Sequence, residues 1–174
     1  YCADMNALIA RLGVEQVDWV GTSMGGLIGM MLAAQPNAPI RKFVINDVGP
    51  FIPKAALERL AAYVGKAPSF ADLEGVERYL RETLAGFGAL SSEQWRHLAQ
   101  YSGVRIDQSS LRLHYDPSIG QAFVGPLADV TLWPLWQALR CPTLVLRGTE
   151  SDLLLADTLK QMLAARPTAV HAVE

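Results

Sequence analysis

Two short apolar runs, with a glycine-rich turn and an all-apolar helix between them, constrain this chain more than any other feature in it. Val17-Asp18-Trp19-Val20 reads as a buried strand and ends in Gly21-Thr22-Ser23-Met24-Gly25-Gly26. Leu27 to Gln35 is apolar nearly all round and stops at Pro36, the pattern of a buried helix. Phe43-Val44-Ile45 is a second buried strand, closed by Asn46-Asp47-Val48-Gly49-Pro50. A strand covered on both faces needs no polar alternation, so this order predicts a parallel βαβ unit and an α/β fold.

The flanking segments extend the pattern. Met5, Leu8, Ile9 and Leu12 repeat at helical spacing, with Gly13 as the stop. Further on, Leu132 to Leu139 predicts a short helix holding Trp133 and Trp136, and Thr143-Leu144-Val145-Leu146 a third buried strand. Leu155, Leu159, Met162 and Leu163 predict a helix ended by Pro167, and Ala169 to Val173 a fourth strand. Between the second and third strands lie roughly 80 residues, far beyond the ~2–6 of an ordinary α/β connection. They read mostly as helices. One stripe is Leu57, Leu60, Ala61 and Val64, another Leu73, Val76, Leu80, Leu84 and Phe87. Ser91-x-x-Gln94 predicts a capping box for a third helix with Trp95 and Leu98, and Leu111, Leu113 and Tyr115 a short extended piece. The expected division is therefore a core of residues 1–50 and 128–174 with a helical insertion at 51–127.

Composition narrows the function classes. The 174 residues are 51% hydrophobic and 18% charged, with a formal net charge of -2, so the chain reads as globular. No basic run exceeds Arg41-Lys42, which excludes an electrostatic footprint for nucleic acid. The longest apolar stretch, Leu27 to Ala34, is well short of the ~20 residues of a membrane span. Cys2 and Cys141 cannot build a disulfide framework, and His97, His114 and His171 show no metal-ligand spacing. A reducing, cytoplasmic setting with no metal or organic cofactor is the expectation; nothing in the sequence speaks to oligomeric state.

Gly21-x-Ser23-x-Gly25 carries the chemistry. Between a strand and a helix it predicts a sharp turn, the nucleophile elbow, which thrusts the Ser23 hydroxyl out above the sheet. Side chains two residues before and after are expected to collide there, which would demand glycine at both positions. The helix that follows aims free N–H groups and the positive end of its dipole at the site, suited to an oxyanion. The competing reading is an ordinary N-cap serine in a glycine-rich turn. A phosphate loop is excluded on residues, because Gly25-Gly26-Leu27 stands where Gly-Lys-Ser/Thr is needed and no G-x-G-x-x-G occurs.

At these residues the sequence resembles the α/β-hydrolase superfamily. Val17 to Val48 is similar to the family's nucleophile strand, elbow, helix and next strand, and the long insertion to the family's lid, or cap. The resemblance implies a partial α/β-hydrolase fold, mostly parallel, with flanking helices and an inserted helical cap. It implies Ser23 as nucleophile and the Met24 backbone N–H as an oxyanion donor. Arg147-Gly148-Thr149-Glu150-Ser151-Asp152-Leu153-Leu154 is similar to the family's acid loop, with Asp152 in the acid's position to orient a histidine. Asp152 also reads as a carboxylate at the N-terminus of the helix that follows. Asp47 is a competing acid, or else an Asx-type turn residue before Gly49-Pro50; Glu150 is a weaker, solvated third.

The base is expected outside this chain. His97 and His114 precede Asp152, the wrong order for the family, and His171 reads as the interior of a strand. The chain starts without Met and stops within a predicted strand, and the family's first strands and second oxyanion donor have no counterpart. An internal fragment is expected, with the histidine about 5–12 residues beyond Glu174. Trp95, Tyr101, Phe123, Trp133 and Trp136 are candidates for an acyl pocket or for core packing; His114-Tyr115-Asp116-Pro117 resembles a lid motif without an evident chemical role. The expected activity is cleavage of a carboxylic ester or related acyl bond of a small molecule through an acyl-enzyme. The alternative is a non-catalytic relative that keeps the fold to bind a small molecule or protein.

Overall fold

A computed structural model describes residues 1–166 and 170–173. The chain divides into two compact units, Tyr1–Ala56 with Ala128–Glu174, and Leu57–Leu127.

In the first unit, helix α1 (Cys2–Arg11) ends at Gly13, whose φ of +67° suits glycine. Strand β1 (Val17–Thr22), helix α2 (Met24–Ala33) and strand β2 (Ile40–Asn46) follow. The two strands pair in parallel from Asp18↔Lys42 to Thr22↔Asn46, the expected βαβ unit. Strand β3 (Phe51–Ile52) and helix α3 (Lys54–Ala61) carry the chain towards the second unit.

The second unit is mostly helical, as expected, and adds a small sheet. It holds β4 (Ser69–Phe70), α4 (Leu73–Thr83), α5 (Ser92–Ser102), β5 (Gly103–Arg105) and β6 (Leu111–Leu113). The three strands form an antiparallel sheet in the order β4-β6-β5. The expected helix through Phe87 ends at Thr83, and Ala85–Phe87 closes as a single 3₁₀ turn. Two N-caps fix the helices that did form. Asp72 accepts from the Gly75 N–H at 2.8 Å, and Ser91 and Gln94 make the full capping box, each such cap contributing ~1 kcal/mol. Val76, Leu80, Trp95, Ala99, Leu111 and Leu113 make this unit's own core.

The chain returns through strand β7 (Val130–Thr131), which pairs antiparallel with β3. The Asp129 carboxylate accepts from the Lys54 N–H beside this ribbon at 2.7 Å. That pairing keeps residues 51–56 with the first unit, so the second begins later than the insertion boundary read from the sequence. Helix α6 (Trp133–Ala138), strand β8 (Thr143–Leu146), helix α7 (Ala156–Ala165) and strand β9 (Val170–Val173) complete the order. The main sheet runs β1-β2-β8-β9, all parallel. Pro167 and Ala169, read as a helix stop and a strand start, lie outside the described residues.

Trp136 is fully buried in this unit and donates from Nε1 to the Met162 carbonyl at 3.2 Å, with Arg166 over its ring. Trp95 is buried in the core of the second unit, under Arg81. Both are packing residues. Among the described residues no helix is long and apolar enough to cross a membrane.

Candidate active site

Parallel strands present their C-terminal ends on one edge of a sheet, and β1, β2 and β8 are adjacent. The residues that follow those ends are Ser23, Asp47 and the loop carrying Asp152.

Ser23 stands between β1 and α2 with φ +50° and ψ -118°, one of three non-glycine residues of positive φ among those described. Such a conformation costs roughly 1–3 kcal/mol and persists only where the surroundings hold it. Here the Ser23 N–H donates to the Asn46 carbonyl at 3.0 Å. The Ser23 carbonyl accepts from the Gly26 and Leu27 N–H groups at 2.8 and 3.1 Å, which starts the helix. The hydroxyl makes no cap hydrogen bond. Ser23 thus occupies the N-cap position without the side-chain bond of an ordinary N-cap serine. Met24 is the first residue of α2, where backbone N–H groups have no intrahelical acceptor.

The glycines correct the sequence reading in one respect. A Cβ on Gly21 would sit 2.3 Å from the Gly25 carbonyl oxygen, as expected for so tight a turn. A Cβ on Gly25 would meet no described atom within 4 Å. The crowded partner is Gly26, where a Cβ would lie 2.6 Å from Val48 Cγ1 and 2.9 Å from Ile45 Cγ1. It is the second glycine of the pair that the sheet presses on. One turn later a Cβ on Gly29 would strike the Trp19 and Phe43 rings, and Trp19 Nε1 donates to the Gly25 carbonyl at 3.0 Å. Helix α2 thus lies against β1 and β2 at glycine distance.

Asp152 is exposed in the loop between β8 and α7. Helix α7 starts at Ala156 with Leu155 as N-cap, and its first-turn acid is Asp157. The reading of Asp152 as a helix N-terminal carboxylate is thereby corrected, because the loop runs on past it before the helix begins. Asp47, at φ +53°, commits its carboxylate to the loop after β8 rather than to an Asx turn before Gly49. Its Oδ1 accepts from the Gly148 N–H at 3.0 Å and its Oδ2 from the Ser151 hydroxyl at 2.9 Å. Ser151 Oγ in turn accepts from the Leu153 and Leu154 N–H groups at 3.2 and 3.1 Å. Sequence reasoning missed Gly148 and Ser151; the Gly-x-x-Ser spacing ahead of Asp152 was the available signal. Glu150 is exposed.

The histidines are dispersed. His97 is exposed on α5 in the second unit, its ring 4.6 Å from that of Tyr101, and His114 is exposed just after β6. His171 lies inside β9, paired with Leu144, as read from the sequence.

A family model described as the alpha/beta hydrolase fold matches residues 1–171. The chain belongs to the α/β-hydrolase family. It is 44% identical to the 3-hydroxybutyrate-oligomer hydrolase of Cupriavidus necator over 100% of its own length and 62% of that protein's. Identity to the 2-(acetamidomethylene)succinate hydrolase of Mesorhizobium japonicum is 28%, over 96% of this chain and 59% of that one. The crystal structure of an alpha/beta hydrolase from Novosphingobium aromaticivorans superposes with a TM-score of 0.86 at 35% identity, covering 99% of this chain and 62% of that one. The chain thus spans about three fifths of the length of each.

Proposed function

We propose that the protein is a serine hydrolase that cleaves carboxylic esters of short hydroxyacid oligomers through an acyl-enzyme. The observation that carries it is Ser23, held at φ +50° on a strand-to-helix turn with its hydroxyl uncommitted to capping. In this reading Ser23 Oγ attacks the ester carbonyl and the Met24 N–H holds the oxyanion. A histidine takes the proton from Ser23 and gives it to the leaving alcohol, and water then repeats the sequence on the acyl-enzyme. Asp152 orients that imidazole and stabilises it once charged. The substrate class follows the 44% identity to a 3-hydroxybutyrate-oligomer hydrolase.

The second unit is proposed as the cap. Within it lies a cavity of about 440 Å³ lined mainly by apolar and tyrosine side chains, Leu80, Leu84 and Tyr115 among them. Free thiols at Cys2 and Cys141 support a cytoplasmic setting.

The test is turnover by the full-length protein of linear 3-hydroxybutyrate dimers and trimers beside p-nitrophenyl esters, with fluorophosphonate labelling mapped by mass spectrometry. Covalent labelling at Ser23 and release of hydroxyacid are expected. An unlabelled Ser23 would remove the mechanism, and labelling without oligomer cleavage would remove the substrate class alone.

A further inference from the structure

Strand β2 lies between the strand that leads to Ser23 and the strand that leads to the Asp152 loop. Its last residue and the one after it hold on to both sides. The Asn46 carbonyl accepts from the Ser23 N–H at 3.0 Å, and Asn46 Nδ2 donates to Thr22 Oγ1 at 3.1 Å. The Asp47 N–H donates to the Leu146 carbonyl at 2.8 Å, one step past the end of the strand. There the backbone enters positive φ, a conformation that residues with a Cβ rarely adopt. The Asp47 carboxylate then reaches the other loop, with one oxygen on the Gly148 N–H and the other on the Ser151 hydroxyl.

From Ser151 the bonds continue to the two residues after Asp152. Its hydroxyl oxygen accepts from the Leu153 and Leu154 N–H groups, while its own N–H closes a turn onto the Gly148 carbonyl at 2.9 Å. Residues 148, 151, 153 and 154 are thus tied, directly or through one hydroxyl, to the end of β2. Asp152 stands between two of them. Helix α7 begins only at Ala156, so these bonds fix the loop ahead of it.

We propose that Asp47 is a positioning residue for the acid. With Asn46 it sets the distance between Ser23 and Asp152, acting on the loop through Gly148 and Ser151. The proposal rests on Asp152 being the acid. A carboxylate satisfies both donors at once, a carboxamide oxygen only one of them, and a methyl group neither. Loss of activity is therefore expected to be graded.

The experiment compares Asp47→Ala, Asp47→Asn, Ser151→Ala and Asp47→Ala/Ser151→Ala in the full-length protein, with Asp152→Asn as reference. It reads kcat and KM on a p-nitrophenyl ester, and both the rate and the final stoichiometry of fluorophosphonate labelling. Asp47→Ala is expected to lower kcat on the order of 10²-fold, the cost of a misplaced catalytic group. KM should stay unchanged, labelling should be slower but reach the same final stoichiometry, and Asp47→Asn should lie in between. The double variant should be little slower than Asp47→Ala, since both act along one path. An unchanged kcat in Asp47→Ala overturns the proposal and leaves the acid assignment intact if Asp152→Asn is inactive. A lowered stoichiometry with normal rate in the remaining sites also overturns it, because the residue then only supports folding. Full activity in Asp152→Asn with a severe Asp47→Asn overturns the acid assignment itself and makes Asp47 the acid. Should Asp47→Ala not fold, Asp47→Asn and Ser151→Ala carry the same comparison.

Discussion

The Ser151 hydroxyl donates to the Asp47 carboxylate at 2.9 Å across 104 positions of sequence. The same oxygen accepts two backbone N–H groups, of Leu153 and Leu154, whose side chains are buried. Ser151→Ala leaves all three partners short of a bond. Stability should fall by about 1–3 kcal/mol, the usual cost of stranding buried polar groups, read as a lowered urea midpoint at unchanged slope.

Ser23 separates strain from chemistry. Ser23→Ala removes the hydroxyl but keeps a Cβ at positive φ, so its stability should stay near that of the parent while kcat drops on the order of 10⁶-fold. Ser23→Gly should be equally inactive yet more stable, by about 1 kcal/mol, because glycine enters this region freely. Thermal midpoints of the two variants compared side by side check this; equal midpoints would mean that the turn stores no strain.

Asp152→Asn should lower kcat roughly 10⁴-fold through the wrong histidine tautomer, with little change in stability at an exposed position. Steady-state kinetics alongside circular dichroism decides it. Wild-type turnover in this variant would move the acid elsewhere.

The glycine pair gives a sharp contrast between neighbours. Gly26→Ala would press a methyl into Val48 and Ile45 and should cost about 1–3 kcal/mol. Gly25→Ala meets no described atom within 4 Å and should be neutral or gain a few tenths of a kcal/mol from helix propensity. Denaturant titrations of the two variants settle the ranking, and the reverse order would contradict the packing described for α2.

What could be read from the sequence was whatever long apolar runs encode. Val17–Val20, most of Leu27–Gln35 and Phe43–Ile45 fall in β1, α2 and β2, although β1 lies at the sheet edge and is only half-buried, with Val20 74% exposed, where a buried strand was expected. Two of the three strands of the second unit were hidden for the opposite reason; the third, Leu111–Leu113, was read as an extended piece. Ser69–Phe70 and Gly103–Arg105 are too short to show a period, and only their pairing with Leu111–Leu113 makes them strands. At the candidate site the turn around Ser23 was visible in its glycines, although the motif pointed to Gly25 where packing presses on Gly26. The bonds of Asp47 were not visible. They join positions 101 and 104 residues apart, and no local pattern records which loop a carboxylate will meet.

The two-rung ribbon of Phe51–Ile52 and Val130–Thr131 makes the 57–127 segment a single-doorway insertion. The chain leaves the parallel sheet and comes back to it on hydrogen-bonded neighbours, with Lys54 and Asp129 clasped just inside. Replacing everything beyond that clasp with a short turn would leave both ends where they already stand, and so would grafting a different segment there. The 57–127 segment thus departs from and rejoins the first unit at one place, apart from the strands that lead to Ser23 and Asp152.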